Sequence, residues 1–82
     1  MTVQIRIYTR KDCCLCDAMK AAVREVAGSI SLGVEEIDVD SAAKLKESYG
    51  SEVPVLFING RKAFKHRVTV KELRERLMRE VP

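Results

Sequence analysis

The chain has no tryptophan, and two tyrosines and two phenylalanines make up its whole aromatic set. Single-stranded nucleic acid is held by stacking bases on aromatic rings, so a set this thin excludes a base-stacking platform. Charge of one sign is also in short supply. Fifteen basic and twelve acidic residues leave a formal net charge of +3, too small an excess to indicate nucleic acid by itself. No apolar run approaches the roughly 20 residues needed to cross a bilayer. The opening Met1-Thr2-Val3-Gln4-Ile5-Arg6 alternates apolar and polar positions, so it does not read as a signal segment. The expectation is a cytoplasmic protein without membrane contact, in a compartment that keeps thiols reduced. Cysteine is scarce too: all three lie within Cys13-Cys14-Leu15-Cys16, and the loops they could close are tiny. A stabilising disulfide framework is excluded. With 82 residues, a single domain over 1–82 with a small core is expected, as a monomer.

What is present is strongly patterned. Val3, Ile5 and Ile7 alternate with Gln4, Arg6 and Tyr8, a strand pattern. Leu15, Ala18, Met19, Ala22, Val23 and Val26 recur at helical spacing, with Asp17, Lys20, Arg24 and Glu25 opposite, and Gly28 follows as a stop. A second strand is placed at about Leu32 to Ile37. Asp40-Ser41 offers N-caps for a short helix through Tyr49, lined by Ala42, Leu45 and Tyr49. Val55-Leu56-Phe57-Ile58 is wholly apolar, as a strand covered on both faces would be. Asn59-Gly60 then signals a tight hairpin, because both central turn positions need positive φ. Arg61 to Phe64 is the return strand. Thr69-Val70-Lys71-Glu72 is a capping box that opens a last helix, with Val70, Leu73, Leu77 and Met78 on its apolar side and Pro82 closing the chain. The order is β-α-β-α-β-β-α. A first parallel pair joined right-handedly through a helix, plus an antiparallel hairpin, gives a four-stranded mixed α/β sheet with helices on both faces.

Cys13 and Cys16 stand about one helical turn apart where the first strand gives way to the first helix. A Cys-x-x-Cys at such a junction, without secretory features, reads first as a redox dithiol. Disulfide exchange needs a thiolate. A free cysteine titrates at about 8.5, and a helix N-terminus with nearby cations lowers that to about 3.5–7.5. Arg10 and Lys11 add positive charge beside Cys13 and Asp12 opposes them, so a moderate lowering is expected. Two other readings stay open: a metal or iron–sulfur carrier using the thiol cluster, and a binding module in which the dithiol is incidental. Zinc ordinarily takes four ligands, and beyond the Cys pair only Cys14 and His66 offer themselves, so no metal is assigned. Cys14 reads as an exposed bystander, because a two-step exchange has no use for a third thiol. Lys62, Lys65, His66 and Arg67 form a basic cluster, read as solvated surface or as a hold for glutathione carboxylates or an acidic partner.

The order of elements, with Cys13-x-x-Cys16 after the first strand and Val53-Pro54 before the third, resembles the thioredoxin-like fold. Ile7-Tyr8-Thr9-Arg10, Glu36-Ile37-Asp38-Val39-Asp40 and the run from Tyr49 to Gly60 make the chain similar to glutaredoxin-like proteins over nearly its whole length. The resemblance implies a cis peptide bond before Pro54, close to the dithiol. It implies a thiol–disulfide oxidoreductase with Cys13 and Cys16 as catalytic, redox-active pair, and Lys11, Val53 and Pro54 on the substrate side. The partners it implies are disulfide-containing proteins or glutathione mixed disulfides, with no bound cofactor and with glutathione or a reductase as electron donor. Typical members carry a Gly-Gly pair and an acidic residue after the fourth strand that help hold glutathione. Here that stretch is Lys65-His66-Arg67-Val68-Thr69, without glycine.

Overall fold

A computed structural model describes residues 2–80; Met1, Val81 and Pro82, the last with its expected role as chain end, lie outside the described residues. Strand β1 (Val3–Thr9) leads to helix α1 (Cys14–Ala27), strand β2 (Leu32–Asp38), a 3₁₀ turn (Val39–Ser41) and helix α2 (Ala43–Tyr49). Strands β3 (Val55–Ile58) and β4 (Arg61–Lys65) and helix α3 (Val70–Glu80) complete the order. The sheet runs β2-β1-β3-β4, with β1 and β2 parallel and the other pairs antiparallel. This is the mixed four-stranded α/β sheet expected from the pattern.

Alternation along β1 decides the two layers. Ile5 and Ile7 join Met19, Val23 and Val26 of α1 and Leu73 and Leu77 of α3 in the larger core. Tyr8 points the other way and packs with Val39 and Val55 and, around them, Leu45, Tyr49 and Phe57. Tyr8 stacks on Tyr49 at 4.4 Å between ring centroids, and Phe57 meets both rings edge-on. Helix α2, only seven residues long, is thus held through its own Tyr49 against the rings of Tyr8 and Phe57.

The hairpin and the last helix form as their residues dictate. Asn59 and Gly60 have φ of 50° and 82°, the left-handed pair that a two-residue hairpin requires. A bulge at Ala63 shifts the β3–β4 register between Leu56↔Phe64 and Phe57↔Lys62. Thr69 Oγ1 accepts the Glu72 N–H at 3.0 Å while Glu72 Oε1 accepts the Thr69 N–H at 3.1 Å, closing the capping box.

Three expectations are corrected. Asp40 and Ser41 do not cap α2. The Asp38 side chain caps the 3₁₀ turn by accepting the Asp40 N–H, Ser41 Oγ donates to the Asp38 carbonyl, and Ala42 stands at the N-cap of α2 without a side-chain bond. Met78 is 64% exposed. At about 100° per residue it lies about 80° from Val70 and farther from Leu73, off the stripe that Leu73 and Leu77 bury. Ala18 and Ala42 are exposed as well. On α1 the buried stripe is turned toward Cys16, which puts Ala18 past its edge.

Candidate functional site

One end of the sheet collects four pieces of chain. The register places Tyr8 opposite Val55, Thr9 opposite Asp38 and Val55 opposite Lys65. The β1–α1 connection with Cys13, the Val53-Pro54 approach to β3, the β4–α3 connection and the acidic end of β2 therefore meet there. The peptide bond before Pro54 is cis, as the resemblance implies, and Pro54 is fully buried. Its carbonyl accepts the His66 N–H at 2.8 Å, which fastens the β4–α3 connection beside it. Among the described residues no hydrogen bond engages the N–H or C=O of Val53.

Cys13 is the N-cap of α1. Its backbone is extended, its carbonyl accepts the Asp17 N–H at 3.1 Å, and its sulfur accepts the Cys16 N–H at 3.3 Å. The sulfur thus occupies the place of a capping oxygen, at the positive end of a 14-residue helix. The chain is aimed into this position by Asp12, whose φ of 55° is left-handed. Cys13 is partly exposed, Cys14 exposed and Cys16 buried, with all three free. Burial, with 1% of Cys16 accessible, and the hydrogen bond with Cys13 push the Cys16 thiol up to about 11; the backbone N–H of Arg10 acts in the opposite direction. One accessible sulfur at a helix start and one buried, protonated sulfur a turn behind it can divide attack from resolution.

In the sequence Arg10 is only local positive charge. Its guanidinium is instead committed to the far side of the sheet: Nε and Nη2 donate to Asp40 at 3.0 and 3.2 Å, and Nη1 donates to the Gly50 carbonyl at 3.2 Å. The pair holds the Arg10 guanidinium above its ordinary value and the Asp40 carboxyl below its own. A Cβ on Gly50 would collide with the Lys46 carbonyl oxygen and crowd Arg10 Nη2 at 3.1 Å. Partners 30 and 40 residues away leave no spacing signal, so Asp40 and Gly50 were not legible as parts of this site. Lys11 is exposed and lines a cavity with Asp12, Asp17, Glu36 and Asp38 that includes neither Val53 nor Pro54. Lys62 pairs with Glu52 rather than standing free. Among the described residues no three Cys, His, Asp or Glu side chains converge in a way that could hold a metal ion. No helix of the described residues is long and apolar enough to cross a membrane.

The glutaredoxin-like domain family (DUF836) matches residues 4–78. The chain belongs to the glutaredoxin-like family. A glutaredoxin-like protein from Dictyostelium discoideum, described as a YDR286C homolog, is 33% identical over 73 residues, covering 82% of this chain and 68% of its own. Among solved structures, a structural-genomics target protein from X. campestris aligns with a TM-score of 0.74 at 28% identity over 95% of this chain and 99% of its own. A mutant thioredoxin from Halobacterium salinarum aligns with a TM-score of 0.66 at 26% identity, over 98% of this chain and 78% of its own. This glutaredoxin-like chain therefore has the thioredoxin-like fold, and its family supports a redox-type role.

Proposed function

We propose that this glutaredoxin-like protein is a thiol–disulfide oxidoreductase that reduces disulfides of proteins or small molecules through a mixed disulfide. The observation that carries the reading is the pairing of sulfurs: Cys13 partly exposed at the start of α1, hydrogen-bonded by the N–H of a buried Cys16. The Cys13 thiolate attacks one sulfur of the substrate disulfide. A Cys13–substrate disulfide forms, and the other substrate sulfur leaves as a thiolate and takes up a proton. Cys16 then gives up its proton and attacks Cys13 Sγ, forming the Cys13–Cys16 disulfide and releasing the second substrate sulfur, which is protonated in turn. The substrate gains two electrons and the dithiol loses them. Glutathione or a reductase dithiol restores the pair. The high titration point of Cys16 supports this order, because it stays protonated while Cys13 is free to attack.

The unpaired Val53 N–H and C=O offer an extended, cysteine-bearing segment a short ladder beside buried Pro54. Lys11, exposed two residues before Cys13, adds positive charge on the substrate side. Replacement separates the two steps. Cys13→Ser is expected to abolish reduction of hydroxyethyl disulfide, and Cys16→Ser is expected to accumulate a mixed disulfide on Cys13, seen as a mass increase that dithiothreitol removes. Full activity in Cys13→Ser would sink the assignment.

A further inference from the structure

Beside the dithiol lies a groove that the exchange itself does not use. Cys14, Leu15 and Ala18 of α1 form one wall, and His66, Arg67 and Val68 of the β4–α3 connection form the other, enclosing about 420 Å³. Its surface is mostly carbon. Its rim is cationic at Arg67, which lines the groove and has no ion-pair partner among the described residues, whereas Lys62 pairs with Glu52 and Lys65 also faces the Glu52 carboxylate. No carboxylate lines it. The groove is continuous with the site at both walls. Cys14 follows Cys13 directly, and the His66 N–H is bonded to the Pro54 carbonyl. His66 holds φ at 67°, a left-handed conformation that carries the chain from β4 into this wall.

We propose that this groove selects the substrate: a polypeptide that presents, beside its disulfide cysteine, an apolar side chain and a carboxylate. The apolar side chain seats between Leu15, Ala18 and Val68, and the carboxylate meets Arg67. The proposal rests on Cys13 as the attacking thiol. It gives Cys14 a place as part of the apolar wall, with no chemistry of its own. Glutathione brings carboxylates but no apolar side chain, so it engages the rim and leaves the groove empty. Withdrawing a leucine side chain from water, even in part, is expected to give about tenfold in rate.

The test is a single turnover of pre-reduced protein, followed by oxidation of its Cys13–Cys16 pair. The probes are four cyclic peptide disulfides carrying Leu-Glu, Ser-Glu, Leu-Lys or Ser-Lys beside one cysteine, with glutathione disulfide and hydroxyethyl disulfide. The Leu-Glu peptide is expected to react about tenfold faster than Ser-Lys and faster than glutathione disulfide. Arg67→Glu, at an exposed position, is expected to reverse the Glu-over-Lys preference, and Ala18→Glu to erase the Leu-over-Ser preference. A spread below about fivefold among the four peptides, or glutathione disulfide reacting as fast as the Leu-Glu peptide, overturns the proposal. If hydroxyethyl disulfide and all peptides alike fail to oxidise the protein, the thiol–disulfide reading itself falls and the groove proposal with it.

Discussion

The two ends of the sheet both turn the chain through left-handed residues, but different bonds hold them. At the hairpin end those residues are Asn59 and Gly60, side by side in a two-residue turn. Asn59 also completes the β1–β3 ladder, pairing with a residue 55 positions away: its N–H donates to the Gln4 carbonyl at 2.8 Å and its Oδ1 accepts the Gln4 N–H at 3.0 Å. At the site end the left-handed residues are Asp12 and His66, neither of them glycine, on two different connections. They sit beside contacts between separate connections: the Pro54 carbonyl accepts the His66 N–H, and the Arg10–Asp40–Gly50 clamp lies two residues before Asp12. A non-glycine residue in this conformation is tolerated where the surroundings fix it, and such residues cluster at functional sites. The hairpin turn takes its shape from its own two residues and is chemically quiet, whereas the site end brings separate connections together to hold its sulfurs in place.

The largest effect that would sharpen this contrast is expected from Leu77→Ala. Leu77 is fully buried in the last turns of α3, one turn before Glu80, which meets Asn59 and Arg61 at the hairpin end. Truncation leaves a cavity and costs about 2–5 kcal/mol, read from urea denaturation. Disulfide reduction per folded molecule should stay at the wild-type rate. A loss of specific activity larger than the folded fraction explains would show that the two ends are not separable.

Next in size is the pH dependence of the site end. A cysteine in the unfolded chain titrates at about 8.5, whereas buried Cys16 titrates near 11. Above the unfolded value the unfolded chain has lost a proton that the native chain keeps. Native stability from this group is therefore whole below about pH 8.5 and falls as pH rises toward 11, by about 2–3 kcal/mol. Other groups titrate in the same window, so the measurement is the difference between wild type and Cys16→Ala in denaturation midpoints at pH 8 and pH 10.5. Wild type should lose more. Parallel curves would mean that Cys16 is not held neutral by the fold.

The contrast between the ends also decides what could be read before folding. Asn59-Gly60, Thr69 with Glu72, and the alternation of β1 act over two to four residues, so their chemistry is written in neighbouring letters. The dithiol was legible for the same reason, since Cys13 and Cys16 are a turn apart, and Pro54 through its setting in the resemblance. The rest of the site was not. Arg10 finds Asp40 and Gly50 only after β1 and β2 pair in parallel, and the same pairing takes Asp40 away from the capping role its type suggests. The stripes on α1 and α3 are right in period and wrong at their margins, Ala18 and Met78, because only packing decides how wide a stripe is covered.

The smallest effect tests the clamp. Arg10 and Asp40 are both partly exposed, at 35% and 39% of their side chains, so water screens their pair and it adds little to stability. Arg61 and Glu80 make a looser surface pair at the hairpin end, at 3.7 Å. Arg10→Gln and Arg61→Gln should each cost little in urea. They should differ in the dithiol. The Arg10 backbone N–H acts on the Cys16 sulfur, and its guanidinium feels Cys13. Releasing the guanidinium from Asp40 and Gly50 frees the backbone that carries that N–H. Arg10→Gln is expected to shift the equilibrium between dithiol and disulfide in a dithiothreitol buffer, by up to about fivefold. Arg61→Gln should leave it unmoved. Equal shifts in both variants would mean that net charge, and not the clamp, sets the poise of the sulfurs. No shift in either would make Arg10 a fastener of the fold alone, and the two ends of the sheet would then differ in their residues but not in their coupling to the chemistry.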